Sequence, residues 1–91
     1  MNKVEYYKLE RLFKGFANHR RIEIMFLLEE SPELSVDEIS QRLRVNFCTI
    51  SDHIRKLAQT GLVMKRSDGN SVRHALTDKG KSILVFCKIT V

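Results

Sequence analysis

The spacing of apolar residues changes abruptly at Gly61, and this change constrains the fold of the chain more than any other feature. Before Gly61, apolar side chains recur at intervals of three and four residues, as across residues 9–16, which is the repeat of an amphipathic helix. After it, two stretches of alternating side chains, Leu62–Arg66 and Ser71–Leu76, flank residues 67–70, which contain an Asp-Gly pair. That dipeptide between alternating stretches is the strongest short-range signal of a β-hairpin. The sequence therefore predicts a helical region followed by a hairpin.

Capping residues divide the helical sequence into separate helices. Asn18 precedes the second helix, Ser35 and Glu38 form a capping box at the start of the third, and Asn46 precedes the fourth. Gly61 supplies the left-handed conformation that commonly ends a helix. The predicted helices are Val4–Ala17, His19–Glu30, Val36–Leu43, a fourth between Asn46 and Gly61, and a last one over residues 78–89.

The order of these elements defines the fold class. It is mainly α with a small β-hairpin, in the order α-α-α-α-β-β-α, and 91 residues suffice for one domain, residues 1–91, around one modest core. About three residues, Arg44–Asn46, join the third and fourth helices, which is the arrangement of a helix-turn-helix. Because the hairpin follows directly, the predicted fold is a winged helix-turn-helix.

The fourth helix carries the candidate functional surface. If Ile50, Ile54 and Leu57 are buried, the opposite face of this helix is polar and able to form hydrogen bonds. An α-helix fits the major groove of DNA, where its side chains reach the edges of the bases. The predicted base-proximal residues are Cys48, Thr49, Ser51, Asp52 and Arg55.

Basic residues are concentrated in the second half of the chain. The net charge of +5 arises entirely after position 44, where eight basic residues face three acidic ones. A positive surface attracts a polyanion such as DNA, although an ordinary solvated surface explains the charge equally well. On the hairpin, a basic ribbon of Lys65, Arg66, Arg73 and His74 lies where a wing would follow the phosphate backbone. The predicted backbone contacts are Asn46, Lys56, Lys65, Arg66, Asn70 and Arg73.

Several short motifs resemble the ArsR-like (arsenic-repressor-type) winged helix-turn-helix regulators. Residues 16–25, FANHRRIEIM, are similar to the family's ALADPTRLRIL stretch, and residues 34–39, LSVDEI, resemble LSVSELA. Residues 45–57, VNFCTISDHIRKL, resemble LSQSTVSRHLKVL, and residues 61–63 match the family's GLV. The resemblance covers about residues 16–76. It implies a homodimeric regulator whose terminal helices form the dimer interface.

The chain departs from the family pattern in three places. Asp52 stands where a basic residue is usual, so that it would repel a phosphate or accept a hydrogen bond from a cytosine amino group. Phe47 replaces a polar residue, at a helical angle that predicts packing toward the core. Residues 35–37, Ser-Val-Asp, stand in place of a Cys-x-Cys metal-binding cluster, and the last helix lacks the family's Asp/His pairs. We therefore expect no metal site and assign no effector.

Apolar stripes on the two terminal helices, residues 4–17 and 78–89, favour the dimer that the resemblance implies. A chain of this size has too little core to bury both stripes, so part of each is expected to be exposed in a monomer. The predicted dimer interface consists of Leu9, Leu12, Phe13, Ile83, Leu84, Phe86 and Cys87.

These observations lead to one principal hypothesis and two alternatives. The chain is predicted to be a cytoplasmic transcriptional regulator, a repressor, that binds double-stranded DNA as a homodimer on an inverted-repeat operator. The first alternative is a winged-helix protein–protein interaction module without sequence-specific DNA binding, which the polar outer face of the fourth helix disfavours. The second makes the thiols of Cys48 and Cys87 a redox control of DNA release.

The sequence lacks the motifs of an enzyme or a membrane protein. It has no glycine-rich phosphate loop, no G-x-S-x-G elbow and no acid–base pair in an evident pocket, so we expect neither catalysis nor a cofactor. No run approaches eighteen apolar residues, and the N-terminus lacks the apolar core of a signal peptide. For His53, helix packing and a bond to DNA are equally compatible with its position in the sequence.

Overall fold

The computed structural model describes all 91 residues, Met1–Val91. Its elements follow one another as α1 (Lys3–Phe16), α2 (His19–Glu30), α3 (Val36–Leu43), α4 (Phe47–Gln59), β1 (Val63–Asp68), β2 (Ser71–Leu76) and α5 (Asp78–Thr90). The two strands form one antiparallel hairpin. The predicted order of elements and fold class are confirmed. None of the helices combines the length and the hydrophobicity that crossing a membrane requires.

Polar side chains cap the helices as their positions in the sequence predict. Asn18 accepts hydrogen bonds from two backbone N–H groups in the first turn of α2, at 3.0 and 3.1 Å, and Ser35 and Glu38 close a capping box on α3. Arg44 ends α3 in the left-handed conformation, with φ of 56°, and turns the chain toward α4. The α3–α4 unit is therefore a helix-turn-helix with a short, capped connection.

The hairpin turn is tighter than predicted. β1 continues through Asp68, which pairs with Ser71, so the turn itself consists of Gly69 and Asn70. Gly69 has φ of 63°, a conformation that two-residue hairpin turns commonly require. The predicted connection over residues 67–70 is two residues too long, because polar side chains are equally compatible with an exposed strand.

The core surrounds α2, as the nearly continuous apolar sequence of that helix predicts. Ile24, Met25 and Leu28 are buried, and α2 packs against α4, α5 and β2. Thirteen buried apolar residues form a single cluster, to which every helix and both strands contribute at least one residue. This core leaves the outer face of α4 and the tip of the hairpin free to form a surface.

Two glycines let the terminal helices approach the end of α4. A Cβ atom on Gly15 would collide with the side chain of Thr60, and one on Gly80 would collide with the carbonyl oxygen of Leu62. α1 and α5 are therefore both held against the segment that follows the candidate surface.

Candidate nucleic-acid interface

The exposed face of α4 has the polar character predicted for it. Ile50, Ile54 and Leu57 are buried, as expected, and the helix packs through them against the rest of the domain. The five residues predicted to lie near bases are all on the outside: Cys48, Thr49, Ser51 and Arg55 are exposed, and Asp52 is partly exposed. The structure thus brings the predicted base-proximal set together on one helix.

The N-terminus of α4 is capped by its own chain. The side-chain oxygen of Asn46 accepts hydrogen bonds from the backbone N–H groups of Cys48 and Thr49, at 2.7 and 3.4 Å. These two N–H groups are therefore not free to bind a phosphate. The side-chain oxygen of Asn46 is occupied by the cap, and only its amide group is left for a phosphate.

Asp52 is paired with both basic residues of this surface. One carboxylate oxygen accepts a hydrogen bond from the Arg55 guanidinium, and the other lies 3.2 Å from the Lys56 ammonium nitrogen. Hydrogen bonds from Lys56 and Arg55 hold the pKa of the Asp52 carboxyl below its ordinary value. Asp52 is therefore ionised at neutral pH and forms an ionic cluster with the next turn of the helix.

Phe47 is exposed, which corrects the prediction that it packs toward the core. Its side chain is 51% exposed and borders an open groove of about 490 Å³ between the start of α3 and the hairpin. Its helical angle matches that of Ile54, but Phe47 is the first residue of α4 and lies beyond the packed layer that buries Ile50 and Ile54. The helical angle alone does not predict burial at the end of a helix.

His74 is a buried residue of the hairpin and not part of a basic ribbon. Only 2% of it is exposed, and its Nδ1 lies 2.9 Å from the carbonyl oxygen of Leu34, so Nδ1 carries the proton and donates. Strand alternation places it on the same face as buried Leu76. Burial lowers the pKa of His74, which keeps the imidazole neutral near pH 7.

The two arginines of the hairpin are bonded to the loop between α2 and α3 and to the first turn of α3. Arg66 donates from Nε to Glu33 Oε1 at 3.1 Å. Arg73 donates to the carbonyl oxygen of Glu33 at 3.1 Å and to Glu38 Oε1 at 3.0 Å, and Asp68 lies 3.8 Å from its Nε. Both predicted phosphate contacts therefore have partners inside the domain.

Glu33 bonds the hairpin to the loop before α3, and the sequence did not predict these contacts. It has φ of 68°, and its backbone N–H donates to the carbonyl oxygen of His74 at 2.9 Å. With the Arg66 and Arg73 bonds, this contact anchors the hairpin to the body of the domain. No local motif marks Glu33, because its partners lie more than thirty residues away.

Lys65 and Asn70 are the predicted hairpin contacts that lack such anchors. Both are exposed, and Lys65 forms no ion pair. They also border the groove beside Phe47. The hairpin thus presents a free lysine and a free amide beside the start of α4.

His53 makes its contact within the domain. Arg21 donates from Nε to His53 Nδ1 at 3.1 Å and from its terminal nitrogen to the carbonyl oxygens of Gly15 and Lys14, at 3.1 and 3.3 Å. Burial, followed by the charge of Arg21, lowers the pKa of His53. Of the two alternatives left open for this residue, these contacts favour helix packing, and no local motif marks Arg21 as its partner.

The terminal helices expose much of their apolar surface. Of the predicted dimer contacts, Leu9, Phe13 and Phe86 are exposed, and Leu12, Ile83 and Cys87 are partly buried. The prediction that Leu84 is a dimer contact is wrong, because this residue is completely buried in the core of its own protomer. The exposed apolar surface of these helices also includes residues outside the predicted set: Val4, Tyr6, Tyr7, Val85 and Ile89.

No group of three or more His, Cys, Asp or Glu side chains is placed to hold a metal ion. Cys48 is exposed on α4, Cys87 is partly buried on α5, and both thiols are free. The two cysteines thus lie on different elements, one on the candidate DNA surface and one on a candidate dimer helix.

Residues 18–65 match the family model described as bacterial regulatory protein, arsR family. The matched region contains α2, the complete helix-turn-helix and the start of the hairpin. It therefore includes every predicted base-proximal residue.

Two curated proteins and one solved structure illustrate the similarity. The transcriptional activator HlyU of Vibrio cholerae is 38% identical over 66 residues, which are 72% of this chain and 60% of that protein. The arsenical resistance operon repressor of Escherichia coli is 34% identical over 67 residues, 74% of this chain and 57% of that protein. The chain thus spans about three fifths of the length of these two relatives.

The fold match extends over almost the whole chain. A solution structure of a homodimeric winged helix-turn-helix DNA-binding domain from Mycobacterium bovis, a possible ArsR-family regulator, superimposes with a TM-score of 0.87. It is 24% identical and covers 96% of this chain and 81% of that one. At this identity the match shows the fold, which is the winged helix-turn-helix predicted from the sequence.

Proposed function

This chain belongs to the arsR family of bacterial regulatory proteins, and we propose that it binds double-stranded DNA sequence-specifically as a homodimer. The observation that carries the proposal is the polar, exposed face of α4 beside a hairpin with a free cation at Lys65. In this proposal residues 1–91 act as a single domain, with α4 and the hairpin on DNA and the terminal helices at the dimer interface.

The recognition face of α4 enters the major groove. Thr49 and Ser51 supply hydroxyl groups, and Arg55 supplies a guanidinium that is suited to the O6 and N7 acceptors of guanine. Cys48 lies at the same end of the helix, where a small side chain permits close approach to the base edges. These contacts are proposed to read the sequence.

Phosphate contacts hold the helix in register on the duplex. Lys65 and Asn70 on the hairpin are exposed donors, and Lys56 on α4 is a partly exposed donor that already pairs with Asp52; all three can contact the DNA backbone. Arg66 and Arg73 hold the hairpin at its angle, and any phosphate contact they make competes with Glu33 and Glu38. Lys65 is thus the proposed principal cation of the wing.

Dimerisation places two copies of α4 on one face of the duplex. The exposed apolar side chains of α1 and α5 support self-association, as does the homodimeric state of the M. bovis domain with the same fold. Two recognition helices about 34–36 Å apart would enter successive major grooves and require an inverted repeat. Sedimentation at tens of micromolar is expected to show a dimer, and a Phe13→Asp, Phe86→Asp double variant a monomer. A wild-type monomer at that concentration would contradict the dimer.

We propose that the bound dimer represses transcription. Occupancy of an operator that overlaps a promoter excludes the polymerase without any further contact, and the E. coli relative carries the name of a repressor. The V. cholerae relative is named an activator, so transcription in vitro from a template that carries the bound site is the decisive assay. Transcripts are expected to decrease as protein is added, and an increase would reverse the assignment.

Gel retardation with random duplex at low salt tests the DNA-binding proposal itself. Retardation at micromolar protein that weakens steeply as salt rises is expected, because binding releases counterions from the phosphates. Selection from a random duplex pool then identifies the preferred site. No retardation of any duplex would favour the alternative function, a protein–protein interaction module built on the same fold.

A further inference from the structure

The Asp52 carboxylate engages both cations of the recognition face. Its two oxygens are divided between them, one for Arg55 and one for Lys56, and all three side chains are between 42% and 56% exposed. They are therefore accessible to DNA and are not a buried structural cluster. One carboxylate is thus paired with both positively charged side chains on the exposed surface of α4.

The helical spacing places Arg55 and Lys56 within reach of Asp52. Residues three and four positions apart lie on the same side of a helix, so one short carboxylate reaches the long side chains of the following turn. An arginine offers five N–H donors in a planar fork, and the contact with Asp52 leaves most of them free. The guanidinium is therefore restrained in orientation while it keeps donors for a base edge.

We propose that Asp52 is a positioning residue that presents Arg55 to a guanine and prevents α4 from binding DNA regardless of sequence; this inference rests on the proposed function. The carboxylate orders the guanidinium before DNA arrives, which reduces the cost of fixing a flexible side chain. It also reduces the charge of the three-residue cluster from +2 to +1, so random sequence gains less from counterion release.

This role differs from the two that the sequence suggests for Asp52. If Asp52 only repelled phosphate, its removal would strengthen binding to every duplex by the same factor. If it accepted a hydrogen bond from a cytosine amino group, its contribution would not depend on Arg55. A positioning role requires instead that Asp52 acts through Arg55, so the effects of the two residues must be coupled.

A double-mutant cycle measures that coupling. It compares the wild type, Asp52→Asn, Arg55→Ala and the double variant on the duplex selected by the wild type and on random duplex. A third set of duplexes replaces each guanine of the selected site in turn by 7-deazaguanine, which lacks the N7 acceptor. Glu23→Gln is the matched control, because it removes one negative charge from an i,i+3 pair with Arg20 that lies outside α4.

Asp52→Asn is expected to bind random duplex roughly threefold to tenfold more tightly and to lose about tenfold in the ratio of selected to random affinity. The loss caused by 7-deazaguanine at one position is expected to shrink from about tenfold in the wild type to about threefold in Asp52→Asn. Glu23→Gln is expected to change neither quantity. In the Arg55→Ala background, Asp52→Asn is expected to leave the affinity ratio unchanged.

Two outcomes would overturn the positioning role. An equal gain on both duplexes, with the affinity ratio intact, would make Asp52 a repelling charge only. A loss of specificity that persists in the Arg55→Ala background would mean that Asp52 reads a base itself. In either case the wild type still selects a sequence and the proposed function stands, whereas a wild type that retards no duplex overturns both.

Discussion

Basic side chains on α4 and on the hairpin are both paired with carboxylates, but over very different distances along the chain. In α4, Asp52 pairs with residues three and four positions later. In the hairpin, Arg66 and Arg73 pair with Glu33 and Glu38, which precede them by 33 and 35 residues. The pairs of α4 lie within about one turn of one helix, whereas the hydrogen-bonded pairs of the hairpin arginines join separate elements.

This difference assigns different roles to side chains of the same type. A local pair on a helix surface contributes little to stability but sets the charge and orientation of the surface that meets DNA. A pair that bridges two elements fixes their relative position, because the hairpin cannot move without breaking it. We therefore expect Arg55 to determine sequence preference and Arg73 to determine where the hairpin lies.

The largest expected effect is that of Arg55→Ala on discrimination. Loss of a bidentate contact to guanine is expected to weaken binding to the selected duplex roughly tenfold to a hundredfold, and binding to random duplex much less. The free energy of unfolding is expected to change by less than about 0.5 kcal/mol, since Arg55 is exposed. Affinity measurements on both duplexes, with urea denaturation, separate the two effects.

Lys56→Ala is the matched control for Arg55→Ala, because the two residues are neighbours and both pair with Asp52. It is expected to weaken binding to selected and random duplexes by the same factor. If Arg55→Ala also weakens binding to the selected and the random duplex equally, Arg55 contacts a phosphate and does not determine sequence preference.

Arg73→Ala is expected to act on stability. It removes the hydrogen bonds to the Glu33 carbonyl oxygen and to the Glu38 carboxylate, so we expect the free energy of unfolding to decrease. Urea denaturation measures this decrease directly. Lys65→Ala, a change on the same hairpin, is expected to leave the urea midpoint unchanged, and an equal loss in both variants would show that Arg73 is no anchor.

Lys65→Ala is expected to change the salt dependence of binding. Loss of one phosphate contact should reduce the slope of log affinity against log salt by about 0.9, for selected and random duplexes alike. Titrations at four salt concentrations measure the slope. An unchanged slope would show that Lys65 does not contact a phosphate. Asn70 would then be the only predicted hairpin contact without a partner inside the domain that could bind the DNA backbone.

The smallest expected effect is a loss of stability in mild acid. Burial lowers the pKa of both His53 and His74 in the folded state, so the fold favours the neutral imidazoles. Their contribution is complete above the pKa of the unfolded chain, near 6.5, and is lost as pH falls from there through the lower folded values. The urea midpoint should therefore decrease between pH 7.5 and 5.5. His74→Gln should flatten this decrease, and an unchanged decrease in that variant would contradict the role of His74.

The elements of this fold were predictable because their signals are local. Capping residues such as Asn18 and Ser35, the period of the apolar side chains and the Asp-Gly pair at the hairpin turn each act within a few residues. The same holds for the outer face of α4, since the burial of Ile50 and Ile54 determines which residues face outward.

The contacts that the sequence did not predict join distant parts of the chain. Three such hydrogen bonds depend on tertiary packing and have no local motif. They join Arg73 to Glu33, His74 to Leu34, and Arg21 to His53. Periodicity alone also failed for Leu84, because a stripe of apolar residues does not tell which member faces the core of its own protomer.

An NMR titration of the labelled protein with its selected duplex tests most directly whether α4 and the hairpin bind DNA. Backbone amide shifts are expected to change over residues 47–59 of α4 and around Lys65 and Asn70, with little change on the solvent side of α1 and α5. Changes centred on α1 and α5, with α4 unaffected, would contradict the assignment of α4 and the hairpin as the surface that binds DNA.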